Sequence, residues 1–99
     1  MIREVILLPM AENDLAAIAA YIQTEFGATA LMRFIKRVDE VYERISQSPA
    51  SCRMVNDKLK TRRCVLNKNC ILYFRVKKKT IEVVKIFDTR QNPQRVKGL

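Results

Sequence analysis

Histidine is absent from this 99-residue sequence, and glycine and proline are scarce, with two and three residues respectively. Without histidine, the chain lacks the side chain that most often acts as a general acid or base near neutral pH. Any catalysis must therefore use other groups. No stretch resembles a flexible linker or a low-complexity tract. With 48% hydrophobic and 29% charged residues, the composition indicates one globular domain spanning residues 1–99.

The sequence also lacks a long apolar run. The longest apolar-rich stretch, residues 15–22, is far shorter than the roughly 20 residues that cross a bilayer. The first residues do not form a charged segment followed by an apolar run and a small-residue cleavage site, which is the pattern of a secretory signal. We therefore expect a cytoplasmic protein without a membrane partner.

Cysteine occurs three times, as Cys52, Cys64 and Cys70, without the paired CxxC spacing of many metal sites. Because histidine is missing as well, we expect neither a bound metal nor a cofactor. Cys64 and Cys70 flank a predicted hairpin turn and could lie close together. Small buried thiols in a reducing compartment are the favoured interpretation, and a redox role is the alternative.

Acidic residues are concentrated in the first half of the chain and basic residues in the second. Residues 1–52 carry a net charge of −2, and residues 53–99 carry +11, within a total of +9. This asymmetry indicates a surface that meets an anionic partner, either a nucleic acid or an acidic protein segment. A face that merely keeps the protein in solution is the alternative interpretation.

The first half of the sequence predicts a strand followed by two helices. Residues 4–8 form a short aliphatic run that ends at Pro9, which suits the first turn of a helix. Apolar side chains then recur at helical spacing in two segments, one before and one after Gly27, which is a plausible helix cap. The second helical segment ends at Ser48-Pro49. So short a connection predicts an antiparallel helical hairpin.

The second half predicts three strands. After a polar connection over residues 50–60, the apolar period changes to two, in residues 62–66, 70–76 and 80–87. The short turns between these segments indicate an antiparallel meander. The predicted fold is α+β, in the order strand, helix, helix, strand, strand, strand. The helical hairpin should pack on one side of an antiparallel-dominated sheet.

Strand alternation assigns side chains to the two faces of the predicted sheet. In residues 70–76 we expect Cys70, Leu72, Phe74 and Val76 to face the helices, because successive side chains point to opposite faces. Tyr73 and Arg75 then lie on the open face, within reach of a partner or substrate. Arg62 and Arg63 are adjacent in their strand, so at most one of them belongs to a site on that face.

Four segments together make the sequence similar to the RelE/ParE toxin superfamily over nearly its whole length. They are EVILLPMAENDLAAIAAYI, RFIKRVDEVYERISQSP, RRCVLNKNCILYFRV and TIEVVKIFDTRQNP, in that order. The resemblance implies the toxin of a bacterial type II toxin–antitoxin (plasmid stabilisation) system, whose acidic antitoxin masks the basic surface of the toxin. It also implies one of two activities. RelE-like members cleave mRNA in the ribosomal A site, whereas ParE-like members inhibit DNA gyrase.

On the RelE-like interpretation, basic side chains must supply the chemistry. Attack by the RNA 2′-hydroxyl needs a base, an acid and cations that stabilise the charged transition state. The resemblance places Arg90 where RelE-like enzymes carry an active arginine, and the candidate catalytic set is Arg90, Arg63, Lys60 and Lys58. The sequence departs from the pattern elsewhere. Asn67 and Ile71 stand where RelE-like and YoeB-like members carry arginine, and the C-terminal His-Tyr pair of the YoeB type is missing.

The resemblance is closer to ParE-like members, for which the protein needs a binding surface but no catalytic constellation. That predicted surface comprises Arg62, Arg63, Tyr73, Arg75, Arg90 and Arg95. Several of these cations also have a structural interpretation; Arg90, for example, could pair with Asp88 at the end of a strand. A third possibility is a non-toxic binding module of the same fold.

Overall fold

The computed structural model describes residues 2–90 as two helices and a five-stranded sheet. In chain order the elements are β1 (Glu4–Leu7), α1 (Pro9–Phe26), α2 (Ala28–Gln47), a 3₁₀ turn (Pro49–Ser51), β2 (Arg53–Asn56), β3 (Thr61–Asn67), β4 (Cys70–Val76) and β5 (Thr80–Asp88). Neither helix in this part of the chain is both long and apolar enough to cross a membrane.

The helical hairpin forms where the sequence predicts it. Pro9 occupies the first turn of α1, where its missing N–H costs no hydrogen bond. Gly27 alone separates α1 from α2, with φ 91° and ψ 175°, a conformation that is open essentially only to glycine. The second helix ends at Gln47, and Pro49 begins the following 3₁₀ turn.

The sheet has the strand order β1-β5-β4-β3-β2. β1 runs parallel to β5, and every other neighbouring pair is antiparallel. The predicted α+β fold, with a helical hairpin on an antiparallel-dominated sheet, is confirmed. The prediction left out β2, because its four residues, RMVN, are largely exposed and do not alternate between apolar and polar types.

The core lies between the helical hairpin and one face of the sheet. α2 contributes Phe34, Val38, Val41 and Ile45, and α1 contributes mainly Ile18 and Ile22. On the sheet side Cys70, Leu72 and Phe74 are fully buried, as the alternation predicts, and Tyr73 and Arg75 are only half-buried. All three cysteines are buried free thiols.

Candidate interaction surface

The face of the sheet opposite the helical hairpin carries a groove of about 580 Å³, which we call the open-face groove. It is lined by Met10, Val55, Asn56, Leu59, Thr61, Arg63, Tyr73, Arg75, Val84 and Lys85. Its floor comes from β3, β4 and β5, and its walls come from β2, the turn after it and the start of α1. It therefore combines a basic and aromatic floor with partly apolar walls.

Strand register brings the polar floor residues into two rows. Arg63 of β3 lies opposite Tyr73 of β4, which lies opposite Lys85 of β5. Side chains directly opposite each other in antiparallel strands have Cβ atoms about 5 Å apart, so these three form a continuous row. In the second row Arg75 lies opposite Thr61, and its Nε donates a hydrogen bond to Thr61 Oγ1 at 3.2 Å. Two predicted cations and the predicted aromatic residue thus share one surface.

Lys85 lines the open-face groove and forms an ion pair with Asp14 of α1, and neither residue was predicted from the sequence. Lys85 Nζ lies 3.1 Å from Asp14 Oδ2, and both side chains are largely buried. The same carboxylate oxygen accepts a hydrogen bond from the backbone N–H of Ile86 at 3.1 Å. Asp14 therefore accepts a backbone hydrogen bond from β5 at a position beyond the end of β1, and it neutralises the charge of Lys85.

A bulge in β5 explains why Lys85 was missed. Simple alternation from Ile81 and Val83, which are buried, would put Lys85 in the core. The register between β4 and β5 shifts near Val83, so that Lys85 faces the groove and Ile86 returns to the core. A lysine at a position that alternation assigns to the core is the sequence signal that could have revealed the bulge.

Arg63 is the cation of the groove whose side chain has no protein partner among the described residues. Within residues 2–90 its side chain makes no hydrogen bond or ion pair, whereas Arg75 bonds a neutral hydroxyl and Lys85 is paired with Asp14. A guanidinium without a protein partner is free to form two parallel hydrogen bonds to a carboxylate or a phosphate. Arg63 beside Tyr73 is therefore the part of the surface best suited to hold an anionic partner.

Arg62 does not face the groove. Its Nη1 donates to the carbonyl oxygen of Cys52 at 2.7 Å, and its register partner is the buried Phe74. Of the adjacent arginines, the structure thus places Arg63 on the open face and Arg62 on the side of the helices. Arg95, also predicted to belong to the surface, lies outside the described residues.

Arg90 also lies away from the open-face groove. Its guanidinium bonds both carboxylate oxygens of Asp88, at 3.2 and 3.0 Å. It also lies over the rings of Tyr21 and Phe26, with its Cζ 5.7 and 5.5 Å from the ring centroids. The hydrogen bonds to Asp88 raise the pKa of Arg90. The structure therefore packs Arg90 against the end of α1. Its pairing with Asp88 is the structural interpretation that the sequence had also suggested for this residue.

The four residues of the candidate catalytic set come from different parts of the sheet. Lys58 and Lys60 lie in the turn before Thr61, which pairs with Arg75 at one end of β4. Arg90 follows Asp88, which pairs with Cys70 at the other end. Arg75 and Cys70 are five residue steps apart in β4, which puts their Cα atoms roughly 17 Å apart. Arg63 lies between them, so the four side chains start from backbone positions that are spread along the sheet.

A family model described as "ParE toxin of type II toxin-antitoxin system, parDE" matches residues 5–93. No curated protein sequence matches the chain.

Several solved structures share the fold. A chromosomal ParDE toxin–antitoxin system from P. aeruginosa is 19% identical with a TM-score of 0.73, over 88% of this chain and 96% of that one. The YoeB dimer from Staphylococcus aureus is 15% identical with a TM-score of 0.63, over 88% and 97%. The E. coli DinJ–YafQ complex is 9% identical with a TM-score of 0.61, over 93% and 98%. At these identities the structural likeness establishes the fold alone.

Proposed function

The chain belongs to the ParE toxin family of type II toxin–antitoxin systems, and from that premise we propose that it inhibits DNA gyrase through the open-face groove and is neutralised by an acidic antitoxin. The observation that carries the proposal is the pairing of Arg63, which has no protein partner among residues 2–90, with Tyr73 on an exposed sheet face. Such a surface binds without needing an acid or a base.

The dispersal of the basic residues supports inhibition by binding over cleavage. A nuclease needs its base, its acid and its stabilising cations around one phosphate. Arg90 is engaged by Asp88, and Lys58 and Lys60 lie near the opposite end of the sheet. Gyrase inhibition requires only a binding surface, and the basic and aromatic floor of the groove supports that role.

The walls of the groove fit an amphipathic acidic segment of an antitoxin. Met10 and Leu59 are 59% and 53% exposed on either side of the basic floor. An antitoxin segment could bury apolar side chains against these walls while its carboxylates meet Arg63 and Arg75. An antitoxin segment bound in the groove would also prevent gyrase from binding there. Competition for this one surface would then account for neutralisation of the toxin.

A supercoiling assay tests the gyrase target. Purified full-length protein in excess should inhibit gyrase supercoiling, and Arg63→Ala and Tyr73→Ala should each weaken inhibition about tenfold or more, since buried charged contacts and aromatic anchors dominate such interfaces. Lys78→Ala, at an exposed turn position that does not line the groove, is the matched control and should inhibit like the original chain. Normal supercoiling in the presence of excess protein would remove gyrase as the target.

The alternative function is a ribosome-dependent mRNA endonuclease, which the Arg63–Tyr73 pair also favours because it could hold a phosphate beside a stacked base. Cell-free bacterial translation of a pre-made mRNA separates the two functions. Loss of product with cut message would establish the nuclease. Intact message and normal yield would exclude it, and unimpaired growth on expression without antitoxin would point instead to a non-toxic binding module.

A further inference from the structure

Strand pairing places two of the three cysteines directly opposite each other. Arg53 pairs with Arg63 and Met54 with Arg62, so the same antiparallel register, continued by one residue to Cys52 just before β2, sets Cys52 opposite Cys64. Cys52 is still extended, with φ −102° and ψ 147°. Directly opposite residues in antiparallel strands have Cα atoms about 4.5 to 5.5 Å apart. A disulfide bridges Cα separations of about 4.4 to 6.8 Å, so the spacing of directly opposite residues is suited to one.

The two thiols also share surroundings. Cys52 and Cys64 are 5% and 3% exposed. Burial raises the pKa of the Cys52 thiol, and the neighbouring Cys64 thiol raises it further. Arg44 of α2 donates a hydrogen bond to the sulfur of Cys64. This guanidinium is a cation in position to stabilise the negative charge on that sulfur when it attacks an oxidant.

A cleft at the edge of β3 connects both thiols to solvent. It has a volume of about 400 Å³ and is lined by Cys52 and Cys64 together with Arg37, Arg44, Ser51, Arg53, Arg63 and Val65. An oxidant as small as a hydroperoxide can enter a cleft of this size, although a protein cannot. Burial therefore shields the thiols from large reagents and leaves them open to small ones.

Cys70 lacks these features and serves as an internal reference. It is fully buried, its strand partners are Asn67 and Asp88, and no thiol lies opposite it. Burial, followed by the nearby charge of Asp88, raises its pKa to about 12. The hairpin turn leaves Cys64 and Cys70 on the same face but in diagonal positions, with Leu72 between them as the direct partner of Cys64.

We propose that Cys52 and Cys64 are an oxidation site at which a hydroperoxide forms a reversible disulfide between β2 and β3. The Cys64 sulfur attacks a peroxide oxygen and breaks the O–O bond, giving a sulfenic acid and, from hydrogen peroxide, one water. The Cys52 sulfur then attacks the sulfenic sulfur, and the S–O bond breaks with loss of a second water. Two thiols thus lose two protons and two electrons, and one peroxide becomes two waters.

Tryptic mapping of the full-length protein tests the proposal. Cleavage after Lys and Arg puts the three cysteines in separate peptides, residues 45–53, 64–68 and 69–75. Reduced protein treated with one equivalent of hydrogen peroxide should lose about 2 Da and yield a linked 45–53/64–68 peptide pair, because only those thiols are opposed. Dithiothreitol should restore both free peptides. A 64–68/69–75 pair, a disulfide between two chains, or sulfinic acid without a disulfide would overturn the assignment.

Matched variants provide a second readout. Cys70→Ala should still form the linked pair, whereas Cys52→Ala and Cys64→Ala should not. Oxidation closes a loop from residue 52 to residue 64, so the melting temperature of the original chain and of Cys70→Ala should rise by roughly 5 to 15 °C on oxidation. Oxidation that left the melting temperature of folded, disulfide-bonded protein unchanged would show that the bond does not constrain β2, and would contradict the proposed bridge.

Discussion

Individual side chains decide which basic residues of this chain are available to a partner. Arg90 illustrates the point, because its guanidinium is bound by an aspartate two residues earlier in the chain and stacked over two aromatic rings. The Asp88 side chain is only 1% exposed and depends on Arg90 for its charge partner. The contacts of Arg90 therefore serve mainly to stabilise the fold.

Removing the Arg90 side chain should destabilise the protein. In Arg90→Ala the buried Asp88 carboxylate loses its charged partner, and we expect a loss of about 2 kcal/mol in the free energy of unfolding at neutral pH. Urea denaturation measures this loss, and Lys78→Ala should change stability by less than about 0.5 kcal/mol. An Arg90→Ala protein with unchanged stability and no toxicity would instead make Arg90 part of the functional site.

Tyr42 should ionise only at a pH well above the ordinary range of a tyrosine. Its hydroxyl is buried without a hydrogen-bond partner in residues 2–90, and burial, followed by the nearby Asp39, raises its pKa to about 12. The unfolded chain releases this proton near pH 10, so the folded state is favoured by the neutral phenol below pH 10. That contribution is lost as the pH rises from about 10 to 12. Absorbance at 295 nm should show a late transition that Tyr42→Phe removes.

Residue-level chemistry was only partly visible in the sequence. Alternation correctly placed Tyr73 and Arg75 on the open face, because those positions depend only on the two-residue period of one strand. The side taken by Arg63 required the register between β3 and β4. The contact of Lys85 with Asp14 joins residues 71 positions apart, which no local pattern encodes.

Among the secondary-structure elements, the helical hairpin depends most on a single backbone conformation. Gly27 has a positive φ with an extended ψ, and no atom lies within 4 Å of where a Cβ would stand. The position therefore tests backbone conformation without a steric clash. Because residues other than glycine rarely adopt this conformation, the hairpin should tolerate few substitutions there.

We predict that Gly27→Ala lowers the free energy of unfolding by roughly 1 to 3 kcal/mol. Asparagine should not rescue the site, since it tolerates the left-handed helical region but not a positive φ with extended ψ. Thr29→Ala, at an exposed position in the first turn of α2, is the matched control and should be nearly neutral. Equal stabilities for Gly27→Ala and Thr29→Ala in urea would contradict the proposed backbone strain.

Strong periodic patterns made most elements predictable. The features that were not predicted, β2 and the bulge in β5, lack such a pattern. The helices and the strands β3, β4 and β5 each repeat an apolar period for several residues, so their types and approximate ends follow from the sequence. β2 has four residues and is held mainly by its pairing with β3, a non-local interaction. The bulge in β5 is likewise visible only through the register with β4.

For the molecule as a whole, charge is distributed by layer. The acidic first half of the chain supplies β1 and both helices, and the basic second half supplies the other four strands. The open-face groove lies on the basic layer, with the exception of Met10 at its rim. A partner approaching the sheet from the open side therefore meets a predominantly positive surface.

Association with an acidic antitoxin should consequently depend on ionic strength. Raising the salt concentration from about 0.05 to 0.5 M should slow association tenfold or more, because screening reduces the attraction that steers the two proteins together. Stopped-flow measurement of the association rate checks this expectation, and the dissociation rate should change much less. An association rate that is the same at both salt concentrations would contradict an electrostatic role for the groove.

The parallel pairing of β1 with β5 also determines when the sheet can form during synthesis of the chain. Glu4 lies beside Thr80 in the sheet, and Arg3 bonds the backbone of both Ser46 and Lys77. The ribosome delivers β1 first, yet β1 has no sheet partner until residues 80–83 have emerged. Because a contact this distant along the chain also forms slowly, the sheet is completed only late in synthesis. The sheet of a nascent chain therefore stays incomplete until residues 80–83 have been made, and an antitoxin already present can meet the chain in that state.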